Sequence, residues 1–171
     1  MRKLLTIFRH SGLDLHQPTL YRKAYRAIIF HDDLVLFIKS QKYGEYKFPG
    51  GGKNDAERAL AVLKREVREE TGYTIYSKII PFGLTMEYAK DFEGKYAVFQ
   101  QESRYYFCSV HKNIQPLALE SYEIEYGYFP CWVTLQNAIE NNQKLLSNDR
   151  IPWKERDTEV MILLANERKS S

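Results

Sequence analysis

Between Gly51 and Tyr73 the chain reads GGKNDAERALAVLKREVREETGY, and three of its carboxylates are spaced to act together. At about 100° per residue on a helix, Glu66, Glu69 and Glu70 fall within an arc of about 100° beside an apolar stripe. Lys64, Arg65 and Arg68 offer an ordinary alternative, a solvated charged face with i,i+4 pairs. What sets this helix apart is the segment before it, FPGGGK, whose three consecutive glycines let backbone amides and carbonyls approach a ligand closely. Clustered carboxylates beside a backbone carbonyl are hard oxygen donors, suited to Mg2+ or Mn2+ and not to zinc. Divalent ions held there suit a phosphate-containing substrate.

The elements that must position these groups follow from periodicity and punctuation. Ala56, Ala59, Leu60, Leu63 and Val67 recur at helical spacing, so a helix is expected from Asp55 to Thr71, capped by Asn54 or Asp55 and ended by Gly72. Ahead of it, residues 3–8 read as a short edge strand, and the apolar runs 24–30 and 34–38 as a hairpin around His31, Asp32 and Asp33. The stretch SQKYGEYKFPGGGKND reads as a shaped loop, since Gly44, Pro49 and the glycine triplet oppose both a helix and a packed strand interior. After Gly72, strands are expected at 73–81, 82–88, 96–99 and 104–110, with KDFEGK as a hairpin tip. A carboxylate-rich polar connection leads to a strand at 128–135, a helix at 136–146 and a last helix at 157–167. Strands, a helix, more strands and then helices argue an α+β or mixed α/β layered domain.

Composition bounds the rest. The chain has 171 residues, 44% of them hydrophobic and 27% charged, which excludes wholesale disorder and supports one core. Residues 1–20 read as an N-terminal extension and 21–171 as a single domain. The longest apolar runs fall far short of the roughly 20 residues that span a bilayer, so no membrane insertion is expected. Arg9, His10 and Asp14 interrupt the only stretch resembling a secretory leader. Cys108 and Cys131 show no ligand spacing, and a reduced, cytoplasmic protein is the reading. The four histidines are scattered, and a net charge of +3 gives no argument for nucleic-acid binding.

The stretch Gly51 to Tyr73 resembles the Nudix box, Gly-x5-Glu-x7-Arg-Glu-U-x-Glu-Glu-x-Gly-U, where U is a bulky apolar residue. Gly51, Glu57, Arg65, Glu66, Glu69, Glu70 and Gly72 match the seven fixed positions, with Val67 and Tyr73 in the apolar slots. The resemblance to the MutT/Nudix hydrolase family implies a mixed sheet flanked by helices, the Nudix α/β/α sandwich. It also implies Mg2+- or Mn2+-dependent hydrolysis of a phosphoanhydride bond in a nucleoside diphosphate linked to another group. Carried over by position, Glu66, Glu69 and Glu70 would bind metal, with a backbone carbonyl near Gly50 or Gly51. Glu57 and Arg65 would brace the loop and helix. The general base would be Glu66 or Glu69 within the box or, on a later loop, Glu120, Glu123 or Glu125, of which Glu123 is preferred.

Substrate choice lies outside the box. No proline stands fifteen residues beyond it, where ADP-ribose-type members tend to have one; Tyr88 holds that place. Tyr46, Phe48 and Tyr88, among 13 tyrosines and 9 phenylalanines, are candidates to stack on a base, and Arg26 to meet phosphate. The plain alternative for each aromatic is strand packing. A nucleoside triphosphate is the expected substrate. The alternatives are a non-catalytic nucleotide sensor and a dinucleoside-polyphosphate or ADP-sugar hydrolase. Many members of the family pair as homodimers.

Overall fold

The computed structural model describes residues 1–53, 57–111, 114–147 and 151–169. In chain order the elements are β1 (Lys3–Phe8), β2 (Thr19–Ile28), β3 (Phe30–His31), β4 (Leu34–Ser40), β5 (Tyr46–Lys47), β6 (Gly50–Gly52), α1 (Ala59–Thr71), β7 (Ile80–Ala89), β8 (Val98–Phe107), α2 (Ser121–Tyr126), β9 (Tyr128–Thr134), α3 (Leu135–Lys144) and α4 (Lys154–Lys169). One mixed sheet has the order β1-β7-β8-β2-β6, with β1/β7 and β2/β8 parallel and the other pairs antiparallel. A second, antiparallel sheet centres on β4, which pairs with β3, β5 and β9.

Strand alternation sorts the core into two layers. On β2, Tyr25 and Ala27 face Val62, Leu63 and Val67 of α1, whereas Ile28 faces the opposite cluster. That second cluster joins Val35 and Phe37 of β4, Leu135 and Ile139 of α3, and Val160, Met161 and Leu164 of α4. Helices therefore cover both sides of the sheets, the α+β sandwich expected. Among the described residues no helix is long and apolar enough to cross a membrane.

Several expected boundaries move. The segment 82–88 lies within the long strand Ile80–Ala89, and the strand Val98–Phe107 joins 98–99 of one expected segment to 104–107 of the other. The polar run Gln100–Arg104 hid that continuity; Gln101 and Ser103 are buried because they bond Glu87 and Arg156 across the sheet. Of 73–81, only Ile75 makes an isolated bridge, to Val110, before β7 begins. The carboxylate-rich connection contains helix α2, too short for periodicity to reveal, with Glu120 and Glu123 forming a reciprocal capping box. α1 begins at Ala59 with Arg58 at its N-cap, and the capping residues Asn54 and Asp55 lie outside the described residues. Its other end is as read: Gly72 adopts φ 72° and returns its N–H to Arg68 O.

Candidate active site

The glycine triplet is a strand after all. Gly50, Gly51 and Gly52 pair antiparallel with Arg26, Tyr25 and Ala24 of β2. Side chains are excluded by what lies beside them. A Cβ on Gly50, whose φ is 131°, would overlap Tyr25 O, and one on Gly51 would stand 2.6 Å from Glu66 Cδ. The absent side chains let a helix carboxylate lie directly against strand backbone.

Around that backbone the box residues divide into two groups. In the first, Arg65 gathers three carboxylates: it grips Glu57 with two bonds of 2.7 and 2.9 Å, and its Nη1 lies 2.7 Å from Glu66 and 2.9 Å from Glu69. These contacts hold the Arg65 guanidinium more firmly protonated than usual. In the second, Glu70 is buried and double-bonded: its Oε2 accepts the Gly50 N–H at 2.6 Å and its Oε1 accepts Lys47 Nζ at 2.8 Å. Arg26, also buried, donates from Nη1 to the carbonyls of Gly50 and Phe48.

Glu123, the carboxylate favoured on the later loop, arrives at this second group although it is more than fifty residues from Glu70 in sequence. Only 3% exposed, it accepts the Glu120 N–H at 2.9 Å and the Tyr122 hydroxyl at 3.2 Å, with Lys47 Nζ 3.9 Å away. Burial first, and then the charge of Glu70, push its carboxyl up to about 7. The same two causes raise Glu66. Arg22 lies across Gly52, its Nε 3.1 Å from where a Cβ would be, and so reaches the edge of the same cluster.

The substrate-binding candidates fare differently. Phe48 is fully buried between Phe37 and Tyr105, with ring centroids at 5.1 and 5.6 Å, so its ring is core. Tyr46 packs edge-on against Phe37 and accepts a bond from Lys39. Tyr88 stacks on Phe8 at 4.9 Å, on the β1–β7 edge of the large sheet, away from the glycine strand at the opposite edge. Arg26 is tied to backbone carbonyls rather than open to ligand. Lys47, by contrast, was given no role by the sequence, though strand alternation after the core-facing Tyr46 turns it toward the carboxylates.

Among the described residues, no three His, Cys, Asp or Glu side chains stand as a ready cage for an ion. The donor chemistry nevertheless fits a hard divalent cation: carboxylate oxygens of Glu66, Glu69 and Glu70, and the Gly50 carbonyl, which keeps a second lone pair beside the Arg26 bond. Burial first, and then the Glu70 charge, raise Glu66 and Glu123, and a cation at this place would offset both.

A family profile described as NUDIX domain matches residues 20–156. The chain belongs to the NUDIX family. It is therefore a Nudix hydrolase, acting on phosphoanhydride bonds. Similar solved structures include a NUDIX hydrolase from Nitrosomonas europaea, at 16% identity and a TM-score of 0.55, covering 82% of this chain and 90% of that one. The solution structure of the E. coli ORF135 protein is similar at 20% identity and a TM-score of 0.54, over 85% and 92% of the two chains. A MutT NUDIX hydrolase from Burkholderia pseudomallei is similar at 18% identity and 0.50, over 68% and 85%. These likenesses carry the fold. No curated protein matches the chain.

Proposed function

We propose that this Nudix hydrolase is a Mg2+- or Mn2+-dependent pyrophosphohydrolase of nucleoside triphosphates, in the manner its resemblance to MutT suggests. The observation that carries the reading is the convergence of Glu123 with Glu70 and Glu66 at the glycine strand, an undamaged acidic set with one member poised to exchange a proton near neutrality. Glu66, Glu69, Glu70 and the Gly50 carbonyl would hold the cations, which supply charge neutralisation to the phosphates and acidity to water. Glu123 takes the proton from the attacking water as its oxygen bonds to phosphorus and the anhydride P–O bond breaks, and the leaving phosphate group departs with the bonding electrons. Glu57 and Arg65 hold Glu66 and Glu69 at their stations on α1. Arg22, at the rim over Gly52, is placed to meet a phosphate oxygen. The match over residues 20–156 supports one hydrolase domain, and the two free cysteines agree with a reducing, cytoplasmic setting.

Phosphate or pyrophosphate release tests this on a panel of nucleoside triphosphates, ADP-ribose, NADH, dinucleoside polyphosphates and capped RNA with Mg2+. Turnover of triphosphates above the rest is the expected result. Tight binding of one nucleotide with no turnover of any would replace the reading by a nucleotide sensor.

A further inference from the structure

Lys47 is a cation that the box does not specify, and it faces the buried carboxylates directly. Its strand is held on both sides. The β5 backbone pairs with Ile38 and Lys39 of β4, and the buried Asn142 of α3 accepts the Tyr46 N–H at 2.8 Å and donates to Tyr46 O at 2.9 Å. So fixed, Lys47 is 6% exposed, with Nζ 2.8 Å from Glu70 Oε1, 3.9 Å from Glu123 Oε1 and 4.1 Å from the centre of the Tyr128 ring. Two carboxylates and an aromatic face form the coordination sphere of an ammonium. The neighbouring guanidinium groups are engaged elsewhere: Arg65 with Glu57, Glu66 and Glu69, and Arg26 with carbonyls.

We propose that Lys47 is a built-in monovalent counter-ion that occupies the space between Glu70 and Glu123, so that this pair does not bridge a divalent cation. Lys47 is then a positioning residue. It holds Glu123 beside the cation-binding carboxylates while keeping that carboxylate out of their coordination, which leaves it available for the proton. The inference rests on the reading of Glu66, Glu69 and Glu70 as the cation-holding groups. A mobile, hydrated lysine on the surface would not do this; a desolvated ammonium fixed by its strand excludes a second cation by charge and by volume.

The test is a Mn2+ titration of nucleotide-free protein, with free Mn2+ followed by electron paramagnetic resonance. Lys47→Met is expected to bind one more Mn2+ per chain than the unaltered protein, Lys47→Arg the unaltered number, and Lys47→Met/Glu123→Gln to lose the extra ion. Glu123→Gln alone, which keeps Lys47 on Glu70 and serves if Lys47→Met does not fold, is expected to leave the count unchanged. An unchanged count in folded Lys47→Met, or an ion lost in Glu123→Gln alone, overturns the proposal while leaving the cation site standing. Absence of Mn2+ binding in every protein, the unaltered one included, overturns both.

Discussion

Arg156→Met should be among the most destabilising single changes in this protein. Arg156 is 2% exposed, and its guanidinium lies 2.7 Å from Glu87 and 2.9 Å from Asp157, themselves buried. Methionine fills much of the volume but, among the described residues, leaves Asp157 with the Tyr105 hydroxyl, at 3.1 Å, and Glu87 with Arg9 and Gln101. Breaking a buried pair by removing one partner costs about 3–5 kcal/mol, because the remaining charge has lost both water and its counter-ion. For a chain of this size, each kcal/mol moves Tm by about 2–4 °C, so a fall of roughly 6–20 °C is expected. Urea unfolding and calorimetry measure it. The pH dependence adds a sign. Burial alone would raise Glu87, but the charges and hydrogen bonds of Arg156 and Arg9 outweigh it and hold the carboxyl below its ordinary value. A carboxylate lowered on folding contributes stability that is present above its unfolded pKa of about 4.3 and is lost as pH falls through the folded value. In Arg156→Met that contribution is diminished, so the deficit should be present in full at pH 7 and narrow only as pH falls below about 4.3, through the lowered value. A loss below about 1 kcal/mol at pH 7, or a deficit that widens on acidification, would refute the argument that this network is charged and desolvated.

Three further outcomes follow from the site. Gly51→Ala drives a methyl group into the Glu66 carboxylate, so Mg2+-dependent kcat/KM should fall about 10- to 100-fold with little change in the urea midpoint; retained activity would mean that Glu66 is free to move. Glu69→Gln and Glu70→Gln should each abolish most Mg2+-dependent hydrolysis, and the assignment of the cation-binding carboxylates collapses if both keep full rates. With Glu123 raised to about 7, its basic form grows as pH rises through neutrality, so kcat should climb over that range; Glu123→Gln should flatten this limb and cost about 10²- to 10⁴-fold, as read from pH–rate profiles.

How much of this was legible depended on whether a residue's neighbours were local. The α1 stripe and its Gly72 stop are set by contacts within a few positions, and both were readable. The continuity of strand β8 is not, because Gln101 and Ser103 are polar yet buried, and their partners Glu87 and Arg156 come from β7 and α4. Phe48, Tyr46 and Tyr88 are stacking candidates by side-chain type, whereas long-range packing decides whether a ring has a free face. Glu123 was singled out from a loop of similar carboxylates, but its neighbour Lys47 was missed because an isolated lysine carries no periodic signal. The glycine triplet was recognised as special for its openness, yet its pairing with β2 depends on what a Cβ would strike, which no single sequence states.

The parallel pairing of β2 with β8 has a consequence for how the protein is made. Every one of its register partners, from Thr19 with Val98 to Ile28 with Phe107, is joined across a loop of about 80 residues, the kind of distant closure that slows folding. In chain order β6 and α1 are synthesised before β8, the strand that fills the centre of the sheet beside β2, and Glu123 later still. A nascent or truncated chain ending before residue 123 therefore carries the whole signature sequence, Gly51 to Tyr73, without the proposed proton acceptor.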